Sequence, residues 1–219
     1  MQHYAVIGLG NFGSTLAIEL QKIGHDVIAI DGDSEKAQLL RDYLAHVVVA
    51  DATDRETLEA LGVGDVECVV ISLGHNLEAS VLATLHCAEL GVPRIYAKVV
   101  SRSQGRILER VGATRVVFPE REVARRLAHK LSSPNLIDFL PITEGYSVEQ
   151  VRTPAAFVGK SLGELQLPKR FRVQIIAIRE SAAPGSPLHL PTADTALGAD
   201  DQLVLLGRNE DLAALAEIS

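Results

Sequence analysis

The opening of the chain constrains its fold more than any other stretch. Ala5-Val6-Ile7 is a short apolar run that stops at the first of three glycines, Gly8, Gly10 and Gly13, spaced G-x-G-x-x-G. Leu16, Ile18, Leu20 and Ile23 then begin a helical segment. A strand that ends in such a turn and feeds a helix gives each glycine its own task. Gly8 permits the tight turn, Gly10 lets backbone approach a pyrophosphate, and Gly13 lets the helix pack closely on the strand. Asn11 and Phe12, between the second and third glycines, share the phosphate loop. Phosphates belong there because orphan N–H groups and the helix dipole both favour an anion. Asp31 closes the second apolar run, Val27–Ile30, about twenty residues on, where a carboxylate accepts from ribose hydroxyls. Strand, turn, helix and acid together predict a site for an adenine nucleotide.

Composition narrows the remaining classes. The chain has 219 residues, 47% apolar and 22% charged, which is globular and long enough for one large domain or two smaller ones. A formal charge of −7, with neither half basic, argues against a nucleic-acid or membrane-surface partner. No apolar run approaches the ~18 residues of a membrane span. The first residues run straight into strand one, leaving no room for a signal peptide. Cys68 and Cys87, in an expected strand and helix without metal spacing, read as buried reduced thiols.

Strand and helix patterns alternate at βαβ spacing over the first part of the chain. The apolar runs are Ala5–Ile7, Val27–Ile30, Val47–Ala50, Cys68–Ser72, Ile95–Val99 and Val116–Phe118. Short, continuous and rich in β-branched residues, they suit a parallel sheet covered on both faces. Thr53-Asp54-Arg55-Glu56 and Ser101-Arg102-Ser103-Gln104 fit capping boxes, and Gly91 and Gly112 fall at helix ends. These patterns predict an α/β fold: a Rossmann-like, doubly wound parallel sheet over residues 1–119. Glu120–Leu131 is amphipathic, with Val123, Leu127 and Leu131 on one face, and Ser132-Ser133-Pro134-Asn135 breaks it. Residues 120–137 thus form a helix and linker, and 138–219 a smaller α+β domain of the kind that dimerises. In that domain Ser147–Val151, Val173–Arg179 and Gln202–Leu206 read as strands. Ser161-Leu162-Gly163-Glu164 reads as a capping box, 182–187 as a surface loop and Asp211–Ile218 as a closing helix.

The combination Val6-Ile7-Gly8-Leu9-Gly10-Asn11-Phe12-Gly13, Ala29-Ile30-Asp31, Ala50-Asp51-Ala52-Thr53 and Ala113–Glu120 resembles the RCK proteins. These regulators of K⁺ conductance are the cytosolic subunits of Trk/Ktr-type potassium uptake systems. Val158–Leu165 and Leu197–Val204 are similar to the family's C-terminal domain, so the resemblance spans the chain. It implies a non-enzymatic gating subunit at the inner face of the cell membrane, working on a membrane-embedded K⁺-translocating subunit. It also implies homodimers assembled into an octameric ring, with Glu120–Leu131 as the crossover helix, and control by ATP and ADP. An NAD(P)-dependent oxidoreductase on the same fold is the competing reading. Against it, the second domain offers a single histidine, His189, and no acid–base pair at a telling spacing.

Individual residues carry a ligand reading beside a plainer one. Asp31 is a ribose acceptor or a loop carboxylate. Gly32 and Asp33 follow it, and Asp33 is either a second contact or the N-cap of the next helix. Asp51-Ala52 ends strand three and in the family lines the base; otherwise Asp51 merely opens the loop before Thr53. Leu73-Gly74-His75 follows strand four where the sheet order reverses, which brings its backbone near ribose or phosphates, while His75 itself faces solvent. The resemblance implies that Lys98 points into the nucleotide pocket. It also implies that Glu120 lies near the terminal phosphates across the dimer interface and helps hold Mg²⁺ or Ca²⁺; alternatively Glu120 complements a helix dipole. Asn11 departs from the arginine usual in ATP-responsive relatives, which keeps NAD or NADH open beside ATP and ADP. Lys169-Arg170-Phe171-Arg172 is a solvated basic turn or a contact for an anionic ligand, such as the cyclic dinucleotide some relatives bind in this domain.

Overall fold

The computed structural model describes residues 2–132, 135–180 and 186–218. The chain divides into two compact units, Met1–Pro119 and Glu120–Ser219. In the first, strands β1 (His3–Ile7), β2 (Asp26–Asp31), β3 (His46–Val49), β4 (Cys68–Ile71), β5 (Ile95–Lys98) and β6 (Arg115–Val117) alternate with helices. These are α1 (Asn11–Lys22), α2 (Ser34–Leu40), α3 (Arg55–Ala60), α4 (Leu77–Glu89) and α5 (Arg102–Val111). Every strand pairing is parallel, in the order β3-β2-β1-β4-β5-β6. This is the expected Rossmann-like sheet. Its order reverses between β1 and β4, so the loops that follow those strands diverge and leave a crevice.

Both faces of the sheet are covered, which is why its strands read as unbroken apolar runs rather than alternating ones. Ala5 and Ile7 join Ile30, Val69, Ile71, Ala83 and Ile95 in one core, whereas Val6 joins Ala17, Val27, Ala29 and Leu40 in another. Most strands end a residue before the apolar run does. Ala50, Ser72 and Val99 lie beyond β3, β4 and β5, yet each still donates its N–H to a neighbouring strand. The α3 cap differs from expectation. Asp54 rather than Thr53 caps it, accepting from Glu56 N–H, because Thr53 is held by Asp51. At α5 only half of the expected box forms: Ser101 accepts from Gln104 N–H, but the Gln104 side chain turns elsewhere.

The second unit follows from α6 (Pro119–Ser132) with β7 (Leu136–Thr143), β8 (Tyr146–Arg152), α7 (Leu162–Leu165), α8 (Leu167–Arg170), β9 (Gln174–Arg179), β10 (Leu188–His189), β11 (Gln202–Arg208) and α9 (Asn209–Ala216). Its sheet is antiparallel, ordered β10-β9-β11-β8-β7. Phe139, Phe157, Leu165, Ile178, Leu203, Leu205 and Leu212 belong to its core. β7 is not evident from sequence because Pro141 interrupts it, and an edge strand is where a missing N–H is tolerated. At Ser161 the capping box forms in full. Most of the expected 182–187 loop lies outside the described residues. The α6 helix rests on β7 through His129 stacked on Phe139 at 4.6 Å and an Arg126–Asp138 ion pair at 3.1 Å. Its opposite stripe stays open, with Val123, Leu127 and Leu131 at 63%, 52% and 77% exposed. Among the described residues no helix is long and apolar enough to cross a membrane.

Cys68 and Cys87 are buried free thiols, and burial pushes Cys87 up to about 12. At pH 8 Cys87 is therefore protonated, and a chromogenic thiol reagent should modify it only as the first unit unfolds in denaturant. Modification at the rate of a free thiol in the folded protein would contradict this packing.

Candidate functional site

At the end of β1 the three glycines separate into different roles. Gly8 has φ +93°, and a Cβ there would lie 2.7 Å from the Ser72 carbonyl oxygen. Gly13 has no space at all, since a Cβ would stand 1.9 Å from the Gly8 oxygen. Gly10 differs: a Cβ would meet nothing within 4 Å, and its backbone is extended at φ −68° and ψ −175°. Two glycines are thus required by the protein's own packing. The third borders open space, as a close approach to a ligand demands.

The α1 N-terminus faces the same turn. Asp33, Asp54, Asn76 and Ser101 cap α2, α3, α4 and α5 with side-chain hydrogen bonds, whereas α1 has Gly10 at its N-cap and no side-chain cap. Its first N–H groups and dipole are therefore left for an anion.

Asp31 ties this turn to the end of β2. One carboxylate oxygen accepts from Leu9 N–H at 2.6 Å and the other from Asp33 N–H at 2.9 Å. Only 11% of the side chain is exposed, with the Lys36 ammonium 3.9 Å away. A carboxylate has about four acceptor directions, so two bonds leave capacity for ribose hydroxyls. Asp33 is occupied as the α2 cap, accepting from Glu35 and Lys36 N–H, and the first of these bonds is the main reason its carboxyl is held below the usual range. Asp51 accepts from both the N–H and the hydroxyl of Thr53, which lowers its pKa and sets the loop after β3.

A cavity of about 480 Å³ opens beside Asp31, Gly32, Asp51, Ala52 and Leu73. Ile7, Ile30, Val49, Ala50, Thr53 and Ala79 complete its lining. The sequence reading missed these six, although Ile7, Ile30 and Ala50 end apolar runs and so carry the signal of a strand's carboxyl end. Apolar walls with two carboxylates, Asp31 and Asp51, suit a base and a sugar. Gly74 is buried next to Leu73, and His75 is exposed. Lys98 lies across Phe12, its ammonium 5.8 Å from the ring centroid, with its stem beside Gly74. Glu120 belongs to the second unit, in the exposed first turn of α6 beside Glu122. Among the described residues no group of three or more His, Cys, Asp or Glu side chains could hold a metal.

In the second unit, the Arg170 guanidinium of the basic turn stacks over Phe171 at 5.3 Å. A cavity of about 250 Å³ nearby is lined by residues such as Leu162, Pro168, Gln174, Ile175 and Pro191, none of them charged.

Comparison with known proteins agrees with both units. Residues 4–119 match the TrkA-N domain and 148–219 the TrkA-C domain. Ktr system potassium uptake protein A of Bacillus subtilis is 31% identical over 96% of this chain and 94% of its own. The protein of the same name from Vibrio alginolyticus is 31% identical over 97% of this chain and 95% of its own. Among solved structures, the GsuK channel bound to NAD superposes with a TM-score of 0.68 at 24% identity, covering 99% of this chain. This chain spans 39% of that channel's length, and at that identity the likeness concerns the fold.

Glycine substitutions separate folding from binding at this site. Gly10→Ala should leave the thermal midpoint within a degree or two yet block phosphate-bearing ligands, because its methyl fills only the open space. Gly13→Ala should lower the midpoint markedly, since the Gly8 carbonyl has to move. Differential scanning fluorimetry with and without ADP reads both, and a large midpoint loss in Gly10→Ala would contradict the assignment.

Proposed function

The chain belongs to the family built of a TrkA-N domain followed by a TrkA-C domain, and we propose that it is a non-enzymatic regulatory subunit of a potassium uptake system. In this reading it binds an adenine nucleotide and thereby controls K⁺ movement through a membrane-embedded partner, from the cytoplasmic side. The observation that carries nucleotide binding is the juxtaposition of Gly10, the uncapped α1 N-terminus and the Asp31-lined cavity.

Charge favours a diphosphate. The cradle offers the α1 dipole, worth roughly half a charge, and Lys98, while Asn11 supplies an amide but no cation. ADP or the pyrophosphate of NAD or NADH meets that supply without help. The third phosphate of ATP needs a divalent cation, whose oxygen ligands would come largely from the phosphates themselves. Glu120 is our candidate for the protein ligand to that Mg²⁺ or Ca²⁺. Two states of the protein respond to a nucleotide only if it contacts them differently, and the metal-bridged third phosphate supplies such a difference.

Assembly follows from the open stripe of α6. Three exposed aliphatic side chains on one helix face call for a cover, and a second copy of the same helix provides one by symmetry. We assign α6 as the crossover helix of a homodimer, with rings of eight as the higher assembly.

Calorimetric titration with ATP, ADP, NAD⁺ and NADH, each with and without Mg²⁺, tests this reading. ADP and NAD⁺ should bind without metal, and ATP should gain affinity when Mg²⁺ is added. Absence of binding by all four would overturn the nucleotide reading, and sustained NAD⁺ reduction with a 2-hydroxy acid would overturn the non-enzymatic one. Asp31→Ala should weaken all four ligands alike by on the order of tenfold or more, the worth of a charge-assisted hydrogen bond. Glu120→Gln should abolish the Mg²⁺-dependent gain for ATP and leave ADP unchanged; an unaltered gain would remove Glu120 from the site.

A further inference from the structure

Gln104 stands where a capping box would use it locally, three residues after the Ser101 N-cap of α5. Its side chain does not return to the Ser101 N–H. The residue is only 5% exposed, and its amide spans two loops instead. Its oxygen accepts from Val100 N–H at 3.0 Å, in the loop after β5, and its nitrogen donates to the Gly74 carbonyl at 3.2 Å, in the loop after β4. One partner is a donor and the other an acceptor, so only one orientation of the amide satisfies both.

The clamped loop touches the nucleotide cradle on two sides. Leu73 lines the cavity, and its Cδ2 lies 3.0 Å from where a Gly8 Cβ would stand. The Lys98 stem lies 3.9 Å from the corresponding position on Gly74, and its ammonium reaches over Phe12 in the phosphate loop. Gln104 therefore reaches the cradle through Gly74 without lining the cavity itself. We propose that Gln104 is a positioning residue for the phosphate end of the site, holding the Leu73–His75 loop so that Lys98 stays poised over the phosphate loop. The adenosine end rests mainly on Asp31, Asp51 and the β3 loop, to which the Gln104 amide makes no hydrogen bond, and Leu73 is the one residue of the clamped loop that lines it. This role rests on the nucleotide reading and predicts that a ligand's phosphates, but not its nucleoside, sense Gln104.

The test is titration of the full chain and of Gln104→Met with adenosine, ADP and NAD⁺. Methionine keeps the volume and removes both hydrogen bonds. ADP and NAD⁺ should weaken about tenfold, as loss of a positioned charge contact would give, while adenosine stays within twofold. Equal weakening of adenosine and ADP would mean that Gln104 only supports the fold, and unchanged ADP affinity would mean that the loop holds without it; either result overturns the proposal. Gln104→Asn, which keeps an amide but cannot span both loops, carries the same expectation should the methionine variant not fold. Wild-type protein that binds adenosine but neither diphosphate would refute the phosphate cradle itself, whereas binding none of the three would refute the whole nucleotide reading.

Discussion

Everything at the first unit's crevice depends on one close contact, the helix α1 pressed against the turn that precedes it. No side-chain atom fits between Gly13 and the Gly8 carbonyl oxygen. The contact brings the start of α1 over the end of β1 and aims its N-terminus into the gap left where the sheet order reverses. Gly8 N–H donates to Ile30 and Ser72 N–H to Ile7, so the turn is anchored to the strands on both sides. Asp31 then fastens the turn from above through Leu9 N–H. A rigid backbone cradle costs little reorganisation when a ligand arrives, which is the physical advantage of building a phosphate site from main chain.

The carboxylates around the crevice divide into two kinds. Asp33, Asp51 and Asp54 accept from neighbouring N–H and hydroxyl groups and fix the loops after β2 and β3, Asp33 and Asp51 doing so through one oxygen each. Asp31 also makes backbone bonds, but it does so at the boundary between the glycine turn and the cavity. An acid in that position holds the fold and is placed to meet a ligand as well. The local caps matter to the site indirectly, because they hold the cavity wall formed by Asp51, Ala52 and Thr53.

The second unit obeys a different pattern because its sheet is antiparallel. On β8 Val151 belongs to the core and Ser147 is buried with its hydroxyl donating to Asn209, and the next strand, β11, is buried along most of its length. Its edge strand accommodates Pro141, with the β7–β8 register shifting just after it and again between Leu136 and Asp138. The helix α6 buries none of its residues, so its apolar stripe marks a surface that a single copy leaves uncovered. The match to Ktr potassium uptake proteins spans both units, so the two patterns belong to one architecture shared with those proteins.

The sequence by itself determined the parallel sheet, the glycine turn and the residues at its strand ends. Those features arise from local physics: apolar runs bounded by turns, helix caps, and glycines that relieve contacts a few residues away. The same local rules misjudged Thr53, whose hydroxyl is taken by Asp51, and Gln104, whose amide is drawn thirty residues back to Gly74. They also passed over β7, where an edge position excuses a proline. Only the tertiary structure decided which carboxylates are spent as caps, which apolar side chains wall the cavity, and that Lys98 lies over Phe12. Each of those outcomes depends on a partner far away in the chain, and a hydrogen bond or a cavity exists only once both sides have been brought together.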